Sequence, residues 1–195
     1  MLAAVILSGG ASSRMGSPKA LLPYQGRPFL EHLLDVVRNP RIGVRRVVLG
    51  AHAEPITQAI ALDASEIVVN AEWEKGQLSS IQAGLRSLPS AVDGMLLCLI
   101  DHPLISATLV DGLVAQFYAT RAPIVLPVFE GKRGHPVLFS AALFGELLRA
   151  PENVGARSVV WAHSKEISEF QTLEEGCVLN LNDPEAFAQI VGPTE

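Results

Sequence analysis

The sequence predicts a single-domain α/β protein, with one mostly parallel, mixed β-sheet between two layers of helices across residues 1–195. Three observations predict it. Apolar runs of strand length alternate with segments of helical apolar spacing from start to finish. The runs at 2–7 and 95–100 carry no charge at all, as strands buried on both faces do. Each of these two runs leads directly into a polar cluster, residues 8–19 and 101–103, and sheets of this kind bind ligands at the carboxyl ends of their strands.

The elements follow in order. Residues 3–7 predict a buried strand. Pro28 suits the first position of a helix, and Phe29, Leu30, Leu33, Leu34 and Val37 then share one face. Residues 44–49 predict a strand, 54–62 a helix and 66–69 a short strand. Leu78, Ile81, Leu85 and Leu88 place a helix over 77–88. After the strand at 95–100, Ser106 caps a helix whose Leu109, Val110, Leu113, Val114 and Phe117 point inward. Residues 124–128 and 136–139 predict two strands around the turn 130–134, which makes the sheet mixed. Helices are expected over 140–148 and 156–163, a last strand over 177–181, and a helix from Pro184.

Composition narrows the function. A chain of 195 residues buries a core without staples. The net charge of −5 argues against a general nucleic-acid binder, which shows a basic face. No apolar run approaches the ~18 residues of a membrane span, and the first residues lack the basic start of a signal peptide. Cys98 and Cys177 have no second Cys or His at zinc spacing. Two isolated thiols, one in an apolar run, fit a cytoplasmic protein.

The polar cluster after the first strand is rich in glycine and serine, contains Arg14 and Lys19, and has no acid. It is neither a G-x-x-x-x-G-K-[ST] loop nor a G-x-G-x-x-G loop, because Gly16 comes one residue too late and Ala11 breaks the second pattern. Its chemistry still suits phosphate. Glycines let backbone N–H groups approach an anion, Arg14 offers a bidentate fork, and Lys19 adds a point charge. A solvated loop with scattered cations has the same composition. Asp101 bears on the choice, since an aspartate at the tip of a buried strand is placed to share a hard cation with substrate phosphates. The alternative role, capping the next helix, already falls to Ser106.

Together these residues resemble the MobA-like nucleotidyltransferases, and most closely their molybdenum cofactor cytidylyltransferase branch. The family's opening pattern, L-[AS]-[AG]-G-x-S-x-R-[ML]-G-x-x-K, is met by Leu7, Ser8, Gly9, Gly10, Ser12, Arg14, Met15, Gly16 and Lys19, with Ala11 at a free position. The stretch Glu74-Lys75-Gly76-Gln77-Leu78-Ser79-Ser80 looks like the family's base-reading segment. Asp101-His102-Pro103 stands at its metal-binding Asp-x-Pro. Gly134-His135-Pro136 resembles its acceptor-side strand, and Gly155-Ala156-Arg157 a late element of the fold.

The resemblance implies a Rossmann-like three-layer sandwich of the nucleotide-diphospho-sugar transferase type. It implies transfer of a nucleoside monophosphate from a triphosphate, CTP above GTP, to a phosphorylated acceptor of the molybdopterin kind, with Mg²⁺ as cofactor. Lys19, Arg14 and Asp101 would be catalytic. Residues 7–12, Arg14, Met15, Gly16, Lys19, Gly76, Ser79 and Ser80 would bind nucleotide. His102, Pro103, Gly134, His135 and Pro136 would bind the acceptor. Neither nucleic acid nor membrane is an expected partner, and the sequence specifies no molybdoenzyme or chaperone.

Three departures stand out. Asn180 and Asn182 replace two usual aspartates, leaving Asn182 as the candidate second metal ligand; Asn153 replaces an acid; and Gly9 is more typical of the guanylyl-transferring relatives. The alternatives are therefore a guanylyltransferase, a sugar-phosphate or methylerythritol-phosphate transferase of the same fold, and a non-catalytic nucleotide sensor. Trp73 and Trp161 are expected to be packing residues rather than base-stacking platforms.

Overall fold

The computed structural model describes residues 1–11, 16–182, 185 and 187. Its main sheet has eight strands: β1 (Leu2–Ser8), β4 (Ile42–Leu49), β5 (Ile67–Val69), β6 (Gly94–Leu99), β7 (Ile124–Phe129), β8 (Lys132–Arg133), β9 (Val137–Ser140) and β10 (Ile167–Gln171). The strand order is β10-β7-β9-β6-β1-β4-β5, with β8 paired to β7. Strands β2 (Pro23–Tyr24) and β3 (Arg27–Pro28) form a separate small hairpin. The pairs β1–β4, β1–β6, β4–β5 and β10–β7 are parallel. Strand β9 runs antiparallel to both β6 and β7, so the expected mixed sheet arises around the turn at Gly131.

The apolar run of β1 lies between two parallel neighbours and is buried throughout. Successive side chains point to opposite faces. Leu2, Ala4 and Ile6 enter a core shared with α1 (Phe29–Val36), α2 (Ala53–Ala59) and α4 (Ala107–Thr120). Val5 and Leu7 enter a second core with α3 (Gln77–Arg86), α5 (Phe144–Arg149) and α6 (Arg157–Ala162). Full burial of each large aliphatic side chain stabilises the fold by roughly 1.5–3 kcal/mol. Helix α4 begins where Ser106 Oγ accepts the amide of Leu109 at 3.1 Å. The same hydroxyl donates to Glu174 Oε1 at 2.6 Å, tying the cap to a distant segment. Cys98 and Cys177 are free and buried, and burial pushes the Cys98 thiol up to about 12. Among the described residues no helix is long and apolar enough to cross a membrane.

Two expectations need correction. Residues 177–181 do not form a strand. A 3-10 turn, Glu175–Cys177, is followed by irregular chain whose backbone bonds go to loops: the amide of Leu181 donates to the Asp101 carbonyl (2.7 Å), and the Cys177 carbonyl accepts from His135 (2.8 Å). Its apolar residues are buried as a plug, with Cys177 and Leu181 both at 0% exposure. The last strand is β10, which pairs with β7 along five residues and was not expected. Pro184 and the helix expected from it lie outside the described residues.

His163, just past α6, bridges two carboxylates: its Nδ1 lies 2.9 Å from Glu166 and its Nε2 3.0 Å from Glu146 on α5. The hydrogen bonds to Glu166 and then Glu146 raise its pKa. A raised histidine stabilises fully below its ordinary pKa, near 6.5, and loses that contribution as pH rises through the folded value. His163→Ala should therefore lower stability at pH 6, by at most about 1 kcal/mol for so exposed a cluster, and by less at pH 9. Paired thermal melts at the two pH values check this; an equal loss at both would remove the electrostatic explanation.

Candidate nucleotide-binding and acceptor site

The carboxyl ends of the adjacent strands β1 and β6 meet at a cavity of about 250 Å³. Leu7, Ser8, Gly9 and Gly10 line one side, as β1 runs into the glycine loop. Lys19 and Asp101 face the same space, and Trp73, Gly76, Gln77 and Ser80 close it from the start of α3. Ala11 is at the exposed lip, and Gly16 resumes the loop with φ +67°. Ser12, Arg14 and Met15 lie outside the described residues.

The loop is held from behind. The Gly9 carbonyl accepts from the Ala51 amide at 3.3 Å, and His52 Nε2 donates to the Ala11 carbonyl at 2.7 Å. A Cβ on Gly50 would stand 2.3 Å from the Gly9 oxygen, so only glycine allows the loops after β1 and β4 to touch there. On the far wall, Asn70 Nδ2 donates to both Ser79 Oγ (2.9 Å) and Ser80 Oγ (3.0 Å). Ser79 Oγ also lies 2.8 Å from the Gly76 carbonyl, to which it donates. Ser79 thus fastens the turn before α3, while Ser80 sits beneath Gly9 at the cavity. Neither His52 nor Asn70 stands out in the sequence, because each acts only through a tertiary contact.

Lys19 Nζ donates to Asn182 Oδ1 at 2.6 Å. The amide oxygen of Asn182, expected as the second metal ligand, meets the Lys19 ammonium. The segment that replaces the expected last strand is what carries Asn182 to this position.

Asp101 also lines a second cavity of about 580 Å³, together with Gly76, Gln77, His102, Gly134 and His135. Pro103 and Pro136 are buried, each directly after a lining histidine. The two imidazoles lie 4.9 Å apart between ring centroids, and neither Nδ1, both buried, has a hydrogen-bond partner among the described residues. His102 is buried rather than turned to solvent. Burial lowers its pKa, partly opposed by the neighbouring Asp101 carboxylate and the Cys177 backbone. His135 is pushed down to about 4 by burial, then by His102. The His135 ring is therefore neutral at pH 7. Trp161, expected as a packing residue, is 64% exposed on the rim; Trp73 is half-buried at the nucleotide side.

The donor set suits a metal that arrives with phosphate. Among the described residues no three His, Cys, Asp or Glu side chains cluster as a metal cage. Mg²⁺ needs none, since it binds through one or two carboxylates and completes its shell with water and substrate phosphates. Asp101, with no hydrogen-bonded or ionic partner for its carboxylate among the described residues, is fitted to that task.

A glycine-rich loop and a lone aspartate at the carboxyl ends of neighbouring parallel strands define a nucleotide-binding α/β domain. Residues 4–167 match the MobA-like NTP transferase domain, and the chain belongs to that family. Rv0371c from Mycobacterium tuberculosis H37Rv has a similar structure (TM-score 0.83, 28% identity, 98% of this chain and 97% of that one). Its complex with manganese aligns at TM-score 0.79 and 26% identity, over 99% of both chains. Among curated relatives, the molybdenum cofactor guanylyltransferase of Xanthomonas euvesicatoria is 28% identical over 96% of this chain and 93% of its own. The nicotine blue oxidoreductase of Paenarthrobacter nicotinovorans is 33% identical over 71% of each. Two bifunctional relatives, from Mycolicibacterium paratuberculosis and Synechocystis sp., are longer: the matched region covers 31% and 52% of their lengths.

Proposed function

We propose that this protein transfers a nucleoside monophosphate from a triphosphate to a phosphorylated acceptor of the molybdopterin kind, and that CTP is the preferred donor. One observation carries the reading: Asp101 is a shared wall of two cavities, one with a glycine loop and a lysine, the other large enough for an acceptor. An oxygen of the acceptor phosphate attacks the α-phosphorus, the bond to the bridging oxygen breaks, and pyrophosphate leaves. The attacking oxygen is already anionic, so no strong base is required, and catalysis is positioning and charge neutralisation.

Backbone N–H groups of the loop cradle the β- and γ-phosphates, and Lys19, steadied by Asn182, faces the charge that develops. Arg14 is given a catalytic role from the motif alone. Asp101 would hold the divalent ion, which supplies charge neutralisation when bound; the manganese complex of the Mycobacterium protein supports such an ion. Gly76 and Ser80 are placed to meet the base, with Ser79 holding their turn. His102, Gly134 and His135 face the acceptor, with Pro103 and Pro136 behind them. A single domain over residues 1–195, working in the cytoplasm, fits this role.

The choice of CTP rests on the likeness of the Ser17-Pro18-Lys19 and Gly134-His135-Pro136 segments to the cytidylyl branch. Guanylyl transfer is the second reading, favoured by Gly9 and by the name of the Xanthomonas relative. A Cβ on Gly9 would stand 2.8 Å from Ser80 Oγ, so Gly9→Ala must displace that hydroxyl and shrink the pocket. A methyl-sized change discriminates by only ~1–3 kcal/mol. With CTP and GTP at equal concentration, cytidylyl product should predominate in the wild type, and Gly9→Ala should widen the ratio up to about tenfold. Predominant guanylyl product from the wild type would replace CTP by GTP. Absence of pyrophosphate release with every triphosphate and acceptor would leave a nucleotide-binding sensor.

A further inference from the structure

The second cavity contains chemistry that phosphate transfer alone does not use. Its floor holds two buried Nδ1 atoms without partners, on His102 and His135. Each is a polar atom of a lining imidazole left unpaired, and leaving such an atom unpaired is costly. A polar group on a bound ligand would satisfy it. On the rim, Arg157 and Trp161 lie one turn apart on α6 and both line this cavity. Arg157 makes no ion pair or hydrogen bond among the described residues. The indole, 64% exposed, has no ring partner there either.

We propose that Trp161 is an acceptor-specificity residue of this protein: a planar acceptor ring stacks on its indole, a polar edge atom of that ring hydrogen-bonds Nδ1 of His102, and Arg157 takes the ring's anionic substituent. Aromatic stacking is tolerant of the ring's identity but rejects puckered sugars, which present no π-face. Arginine pairs with a carboxylate or phosphate in the same bidentate way. The selectivity is therefore for an anionic planar heterocycle with a polar edge over a sugar phosphate. It rests on assigning the larger cavity to the acceptor.

Calorimetric titration with two probes, pterin-6-carboxylate and glucose 1-phosphate, tests this on the full chain. The wild type should bind the pterin compound and discriminate against the sugar phosphate. Trp161→Ala should weaken pterin binding about tenfold, and Trp161→Phe, which keeps a ring, should restore most of it. The indole is exposed, so neither substitution removes core packing. In turnover, Trp161→Ala should raise the acceptor KM with kcat and the triphosphate KM nearly unchanged. Failure of the wild type to bind the pterin compound, preference for the sugar phosphate, or equal affinity in Trp161→Ala would each overturn the proposal. Failure of the transfer reading looks different. Binding through Trp161 without pyrophosphate release from any triphosphate would reject transfer and keep the stacking residue; transfer with an acceptor KM unmoved by Trp161→Ala would do the reverse.

Discussion

Asp101→Ala is expected to lose nucleotidyl transfer by about 10³-fold or more while leaving the fold intact. The rate loss follows from position. Among the described residues Asp101 is the one carboxylate lining both cavities, where the proposed reaction would bring the α-phosphate and the attacking phosphate together. Removing the group that anchors charge stabilisation in a dry site forfeits several kcal/mol of transition-state binding, and each 1.36 kcal/mol is about tenfold in rate. The fold is spared because the side chain is not what the structure uses: the backbone carbonyl of Asp101, which alanine keeps, accepts from Leu181. Steady-state turnover at saturating Mg²⁺ beside a thermal melt checks both halves. Turnover near wild type would dismiss Asp101 as the anchor, and a collapsed melting temperature would make it a structural residue.

Lys19→Ala should cost ~10²–10³-fold in rate, the usual cost of deleting one preorganised charge donor, with a stability loss of about 1 kcal/mol or less for a half-exposed contact. The structure adds a second arm. Because Asn182 Oδ1 orients the ammonium, Asn182→Ala keeps the charge and loses its placement, so it should fall between wild type and Lys19→Ala in rate. Pre-steady-state pyrophosphate release on the three proteins gives the order. A Lys19→Ala rate within twofold of wild type would return the loop to an ordinary solvated surface.

The sequence was most legible where one physical cause dominated. Strands β1 and β6 are apolar without interruption because neighbours cover both faces, and α4 shows both its inward stripe and its Ser106 cap. The candidate site was marked for a related reason: Gly9 and Asp101 stand just beyond the buried strands β1 and β6, and Lys19 ends the acid-free loop after β1. Strand β10, Ile-Ser-Glu-Phe-Gln, is half-buried at the edge of the sheet, so its pattern is weak; its pairing with β7 is fixed by tertiary placement. Residues 177–181 misled in the opposite sense, because an apolar run reports burial and not the hydrogen bonds that make a strand. His52 and Asn70 could not be picked out, since their roles depend on which loops β4 and β5 bring alongside. Trp161 broke the usual rule that a large aromatic goes inside.

The contact between Lys19 and Asn182 joins residues 163 positions apart. On a ribosome, the glycine loop, the aspartate and both histidines all emerge before the amide that steadies the lysine. A nascent chain halted near residue 176 would therefore carry nearly every chemical group of the site and still lack its final alignment. The alignment of that lysine is thus a long-range property of the fold, set only when the segment bearing residue 182 has docked against the loop that follows the first strand.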